Sequence, residues 1–466
     1  MIAPLKSLLD PIWQRRWQTL DDRLQYARQL APTSADPQLL ALAALLNRLH
    51  IFATGQFRFF VDGFTTGRFN NLTPLPGYPL DYVFRGVINQ SFNDLQVIEW
   101  AIDQRRNGSD AMRDTLAIAD QLAFAALQPA IQSDLVPAET AVITYFEKFA
   151  SIRIIPYANV ALIGIPFSCV STPEDFLAIP HEVGHYVFGR ASRANGNVRK
   201  LLNDDYGRQR PDYVKAWIEE IAADVYGCLI AGPVIALDFQ DLQLEKRPQK
   251  FNVDDGEHPT PILRPQVYHK VLHHRQSPWS GPLDAAWTFR REQFKVRHQD
   301  KIKDPNKFQP ATMPGTLRPE QALSDGVALN SQAPVDWVIN AVLQRLALRM
   351  GNDNWWQAFR DLPLGDVPPD LDATQVNAHT LAAIKRTIYA PVLERLTPVP
   401  RRQALPNSPL PSIPPQDWQY MLDNLDEYLP TWPEPFFKVE RGPDDWWVNV
   451  WIARGWNTFG NGQWIQ

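Results

Sequence analysis

The stretch Phe176-Leu177-Ala178-Ile179-Pro180-His181-Glu182-Val183-Gly184-His185-Tyr186-Val187-Phe188 decides how this chain is read, because it sets His-Glu-x-x-His between apolar residues. Residues four apart lie one above the other on a helix, so His181 and His185 can present two imidazoles to one metal ion. Glu182 sits one step round, within reach of a water at that metal but angled away from ligation. Zinc held by two imidazoles needs a third protein ligand and an open fourth position before it can act on water or a carbonyl.

Outward from this stretch, Ser171-Thr172-Pro173-Glu174-Asp175 reads as a helix start, with Thr172 as cap and Pro173 in the first turn. Pro180 then calls for a kink or a fresh helix start just before His181. Downstream, Trp217-Ile218-Glu219-Glu220-Ile221-Ala222-Ala223-Asp224-Val225-Tyr226-Gly227 reads as a second helix, opened at Pro211 or Asp212 and closed by Gly232-Pro233. Glu220 and Asp224 share a face, and Ala222 and Ala223 are small enough to let this helix approach the first.

His-Glu-x-x-His followed by Glu-x-x-Ala-Asp resembles the gluzincin metallopeptidases. The resemblance implies that His181, His185 and Glu220 ligate Zn²⁺, which selects Glu220 over its neighbour Glu219, a residue more typical of a solvated face. It also implies that Asp224 accepts a hydrogen bond from a ligating histidine. His258-Pro259-Thr260-Pro261-Ile262-Leu263-Arg264 is similar to the H-P-(x4)-R element of the CAAX-prenyl-protease-like group. By that likeness His258 is the first candidate for a catalytic oxyanion donor, and Arg264 is structural or charge-stabilising. Tyr206, Tyr213 and Tyr268 are further donor candidates. The three elements span roughly residues 172–275, and no resemblance extends to either side.

The chain has 466 residues, 45% hydrophobic and 21% charged, a globular composition with enough apolar material for a large core. Its net charge of -5 supplies no positive field for nucleic acid. Two cysteines, Cys169 and Cys228, exclude a disulfide framework and fit a reducing compartment, so a cytoplasmic location is expected. The longest apolar runs, Ile154 to Val170 and Val225 to Leu237, fall short of a membrane span, so the membrane substrates of many CAAX-protease-like enzymes do not carry over.

The expected fold is mainly α (α+β), in four parts: a helical region 1–150, a zincin-like core with a small β-sheet at 151–303, a helical region 304–396, and a proline-rich arm with a tryptophan-rich tail at 397–466. Helical spacing is read over Leu8–Leu30, Pro37–Phe52, Leu95–Gln104, Asp110–Leu127, Ala138–Phe149, Gln266–Arg275, Val335–Met350 and Leu381–Leu396. The aromatic stretch Thr54–Tyr82 reads as a loop or short hairpin, and the polar segment after Gly189 as a loop over the site. Residues 152–167 read as one or two strands, either interior or an edge that captures substrate backbone. His269, His273 and His274 are expected to lie outside the metal set. The tail, with Trp432, Trp446, Trp447, Trp451, Trp456 and Trp464, is expected to dock on the body or on a protein partner.

These features lead to the expectation of a zinc-dependent peptidase with Glu182 as general base, acting on a peptide or protein substrate. A zinc-stapled binding or assembly protein is the alternative of a different class. A zinc hydrolase of a non-peptide amide or ester would use the same residues.

Overall fold

The structure, a computed structural model, describes residues 11–29, 36–67, 82–193, 196–207, 212–251, 255, 257–299, 301, 334–351, 355–396, 437–441, 446–452, 455–460 and 463–465. Residues 304–333, the first part of the expected helical region 304–396, lie outside the described residues, and so does the proline-rich arm from Thr397 to Pro415.

Helix α1 (Pro11–Gln29) packs on α2 (Pro37–Thr65) and α3 (Tyr82–Asn107). Asp36 caps α2, its carboxylate accepting from the Gln38 amide at 2.9 Å. Contrary to the loop read from Thr54, α2 continues through Gly55 to Thr65. The cause is tertiary: Phe57 stacks on Trp17 of α1 at 4.6 Å and meets Phe84 of α3 at 5.3 Å. Aromatics that resemble loop punctuation in isolation thus form an interhelical seam, and their burial outweighs weak helix propensity.

After α4 (Asp110–Gln132), the segment read as helical at Ala138–Phe149 is instead strand β1 (Ala141–Glu147). Val142, Ile143, Tyr145 and Phe146 mimic helical spacing because the strand is buried on both faces. Their β-branched and aromatic side chains suit a strand. β1 pairs in parallel with β3 (Val160–Pro166), and β2 (Ser151–Ile154) pairs antiparallel to β3. The sheet order is β1-β3-β2, so the strand nearest the first metal-motif helix in sequence is central and β2 lies at an edge. The sheet packs against α3 and α4 and against α5 (Ile179–Arg190).

The chain enters α5 from a 3₁₀ turn at Pro173–Ala178, and the α-helix begins afresh at Ile179. Thr172 stands at the cap position without a side-chain capping bond, unlike the expectation for it. Beyond α5 the polar segment read as a loop forms a small hairpin, β4 (Ser192–Arg193) with β5 (Gly196–Asn197), and helix α6 (Val198–Gly207). Helices α7 (Asp212–Ala231), α8 (Pro233–Glu245), α9 (Arg264–His274) and α10 (Ser280–Arg297) follow. The body is completed by α11 (Pro334–Leu346), α12 (Gln357–Arg360) and α13 (Ala378–Leu396). Buried apolar side chains from Leu20 to Leu396 form one continuous core.

The protein is thus mainly α with a small three-stranded sheet in its body. The tail carries a four-stranded antiparallel sheet, β6 (Phe437–Arg441), β7 (Trp446–Ile452), β8 (Gly455–Gly460) and β9 (Gln463–Ile465). The side chains of its tryptophans, and with them the expected docking, lie outside the described residues. Among the described residues no helix is long and apolar enough to cross a membrane.

Candidate metal centre

The site begins with the crossing of α5 and α7. A Cβ on Gly184 would come within 2.8 Å of the Ala223 Cα and carbonyl oxygen, and one on Gly227 within 3.2 Å of the His181 amide nitrogen. Glycine on each helix, with Ala223, therefore sets the close approach; of the alanines expected to do so, Ala223 makes this contact. The crossing brings His181 Nε2 to 3.1 Å from His185 Nε2. Glu220 Oε2 stands 3.6 Å from His181 Nε2, and its Oε1 stands 3.5 Å from His185 Nε2. All three residues are buried, and their ligand atoms lie within 4.8 Å of one another.

That triangle suits a small cation. Tetrahedral ligands at zinc bond lengths of about 2.0–2.1 Å stand about 3.3–3.4 Å apart. Two imidazoles and a carboxylate also match the donor preference of zinc. The electrostatics agree: burial pulls the His185 imidazolium pKa down, but Glu219, Glu220 and Glu182 together outweigh it and raise the value to about 9. Positive charge is favoured at this point. Burial likewise works to raise the Glu220 pKa, yet His185, Arg264, His181 and His258 bring it below the ordinary value.

Behind the three candidate donors lies a fully buried support. Asp224 Oδ1 is 2.9 Å from His181 Nδ1, although the ring N–H is not aimed well enough to count as a hydrogen bond. Arg264 donates from Nε and Nη2 to the two Asp224 oxygens, each at 2.8 Å, and from Nη2 to Glu220 Oε2 at 3.0 Å. Tyr268 donates its hydroxyl to Asp224 Oδ1 at 2.6 Å. It belongs to this support, is fully buried, and does not line the cleft as an oxyanion donor would. Burial works to raise the Asp224 pKa, but Arg264 and His181 hold it well below the carboxylate range.

His258 lies on the open side, its side chain 33% exposed, with Nδ1 3.0 Å from Asp255 Oδ2 and Nε2 3.6 Å from Glu220 Oε1. Asp255 thereby turns Nε2 toward the ligand group. Glu182 is 8% exposed, lines the same cleft, and has no hydrogen bond or ion pair among the described residues. The cleft, about 660 Å³, is lined by Lys148, Phe149 and Ala150 of the β1–β2 turn and by Pro166 at the end of β3.

Two contributors escape the sequence reading. Glu219, read as part of a solvated face, places Oε1 3.1 Å from His185 Nδ1 and so supports that ring. The signal was chemical: a ligating imidazole needs a partner for its second nitrogen. The other is the acidic face of α8, where Asp238, Asp241 and Glu245 line the cleft at helical spacing. His269 is buried against Gln240 and Asp284, and His273 and His274 are exposed, all apart from the cleft. The side chains of Tyr206 and Tyr213 lie outside the described residues.

No protein-family model, curated protein or solved structure matches this chain.

Proposed function

We propose that this protein is a zinc-dependent peptidase of gluzincin type, with His181, His185 and Glu220 as ligands and Glu182 as general base. The observation that carries the reading is the pairing of a three-donor triangle with an unpartnered carboxylate beside it. A zinc ion in such a site supplies Lewis acidity toward a carbonyl oxygen and lowers the pKa of water toward neutrality.

The chain's own groups then divide the work. Glu182 accepts the proton of the attacking water and returns it to the amide nitrogen, so that the C–N bond breaks to an acid and an amine. Its low exposure and lack of a competing partner keep the carboxylate available for that transfer. His258 donates Nδ1–H to Asp255, and as the imidazolium it offers a second N–H, at Nε2, to the oxyanion. Asp224 and Glu219 hold the two imidazoles, and Arg264 ties Glu220 to Asp224. A purely structural zinc staple has no use for Glu182 at this position, which favours hydrolysis over assembly. Two buried free thiols fit a reducing cytoplasm as the place of action.

The test is metal analysis of purified protein together with turnover of internally quenched peptides. Zinc at one equivalent, with peptide cleavage abolished by chelation and restored by zinc, supports the reading. Full zinc occupancy in Glu220→Ala overturns the ligand assignment, and unchanged turnover in Glu182→Gln removes that residue from the mechanism.

A further inference from the structure

Helix α8 presents Asp238, Asp241, Leu242 and Glu245 at i, i+3, i+4 and i+7, and all four line the cleft, as does Asp175 of the 3₁₀ turn. Like charges on one helical face destabilise a helix, and Glu245 stands at the C-terminal end, where the helix dipole disfavours an anion. Helix stability therefore gives no reason for this stripe.

Its members differ in how they are balanced. Asp241 is held by Arg290, by Lys385 at 2.7 Å and by Tyr389 at 2.8 Å. Asp238, partly buried, has neither hydrogen bond nor ion pair among the described residues, and the charges that act on it most are Asp241, Asp175, Glu245 and Glu174, with Arg290 and Lys385 spent on Asp241. Burial first, and then those carboxylates, push the Asp238 pKa well above the ordinary value. The cations lining the cleft are Arg264, Lys148 and Lys246, with His258 on its open side. Arg264 is bound to Asp224 and Glu220, Lys148 lies over the Phe149 ring at 4.9 Å, and Lys246 has Arg264, Asp255, Glu220 and Asp224 as its charged neighbours. A second observation points to a ligand in this space: Glu182, buried and unpartnered, lines the same cavity.

We infer that the cleft selects peptides carrying a cationic group, which binds against Asp238 with Asp175 and Glu245 around it. The inference rests on the peptidase reading and gives it a substrate class. The cation comes either from a lysine or arginine side chain or from the peptide amino terminus, and the two sources are separable.

Binding to zinc-loaded Glu182→Gln protein is measured by calorimetry with four short peptides. Three are N-acetylated, with Arg, Gln or Glu at the centre, and the fourth is the Gln peptide with a free amine. The Arg peptide is expected to bind about tenfold more tightly than the acetylated Gln peptide, with the Glu peptide weakest. Asp238→Asn in the same background is expected to remove that preference, and Glu245→Gln to reduce it. A preference confined to the free-amine peptide, lost in Asp238→Asn, assigns the cation to the amino terminus. Equal binding of all four, no binding of any, or a preference that survives Asp238→Asn in folded protein overturns the inference. If the wild type cuts neutral peptides and rejects basic ones, the peptidase reading stands and the charge preference falls. Asp238-dependent binding of basic peptides that the wild type leaves intact is the reverse outcome.

Discussion

Two buried Asp–Arg clusters in this molecule use the same residues for opposite ends. In the first, Asp120 of α4 accepts from both Arg105 Nη2 and the Thr144 amide and hydroxyl, at 2.7–3.0 Å. Every contact joins α3, α4 and β1. In the second, Asp224 accepts from Arg264 and Tyr268, and the cluster continues through Glu220 and His181 to donor atoms that converge on one point. Burial dominates the first, raising the Asp120 pKa despite Arg105, whereas charge dominates the second, and Asp224 is driven down. The difference teaches that buried charge alone does not mark a site. The mark is a cluster whose lone pairs point at something the chain does not supply.

That contrast can be broken most sharply at Glu182. Glu182→Gln is expected to reduce peptide turnover by about 10²–10⁴-fold with zinc content unchanged, read by single-turnover assay and metal analysis. Asp120→Ala should act in the other currency, stability. Leaving Arg105 buried without its partner costs about 3–5 kcal/mol in denaturant unfolding, while the folded fraction keeps its metal. Equal metal loss in Asp120→Ala and Asp224→Ala would erase the distinction between the clusters.

Smaller effects sharpen it. Gly184→Ala pushes a methyl into the Ala223 backbone and is expected to cost about 1–3 kcal/mol, with weaker zinc retention because the helices that carry the ligands separate. Glu219→Gln should leave stability near the wild type and weaken zinc binding by about tenfold, measured by competition with a chelator. Acid unfolding supplies the last comparison. Burial works to raise the Asp241 pKa, but Arg290, Lys385 and Tyr389 depress it. Its stabilisation is therefore present above the unfolded value of about 3.9 and is lost as pH falls through the folded one. Asp120 has the opposite sign: its penalty is full above its raised folded value and is relieved as pH falls through that value toward the unfolded one of about 3.9. Lys385→Ala should flatten the acid limb by about 0.5–1 kcal/mol, and an unchanged limb would sever Asp241 from the pH dependence.

The metal-motif helices were legible because their signals are local: histidine spacing, Pro180, and Gly232-Pro233 all act within one turn. What was missed depended on distant partners. Phe57 looks like loop material until Trp17 and Phe84 are placed around it, and β1 hides its period because both of its faces are covered. Glu219 became interpretable only with His185 beside it. The α8 stripe was the exception, since Asp238, Asp241 and Glu245 display their period in the sequence itself. In sequence such a stripe is the same as a solvated helix face, and only the fold turns it into the wall of a recess.

The tie between Asp241 and α13 has a temporal consequence. A ribosome that has just made Asp241 must add 144 more residues before Lys385 exists, and Tyr389 comes later still. At about 5–20 residues per second this takes on the order of ten seconds. Through that interval the nascent polypeptide already holds the His181, His185 and Glu220 segments, yet one side of the recess lacks its brace. The last helix of the body thus sets when this surface is finished during synthesis, although it contributes no atom to the cation triangle.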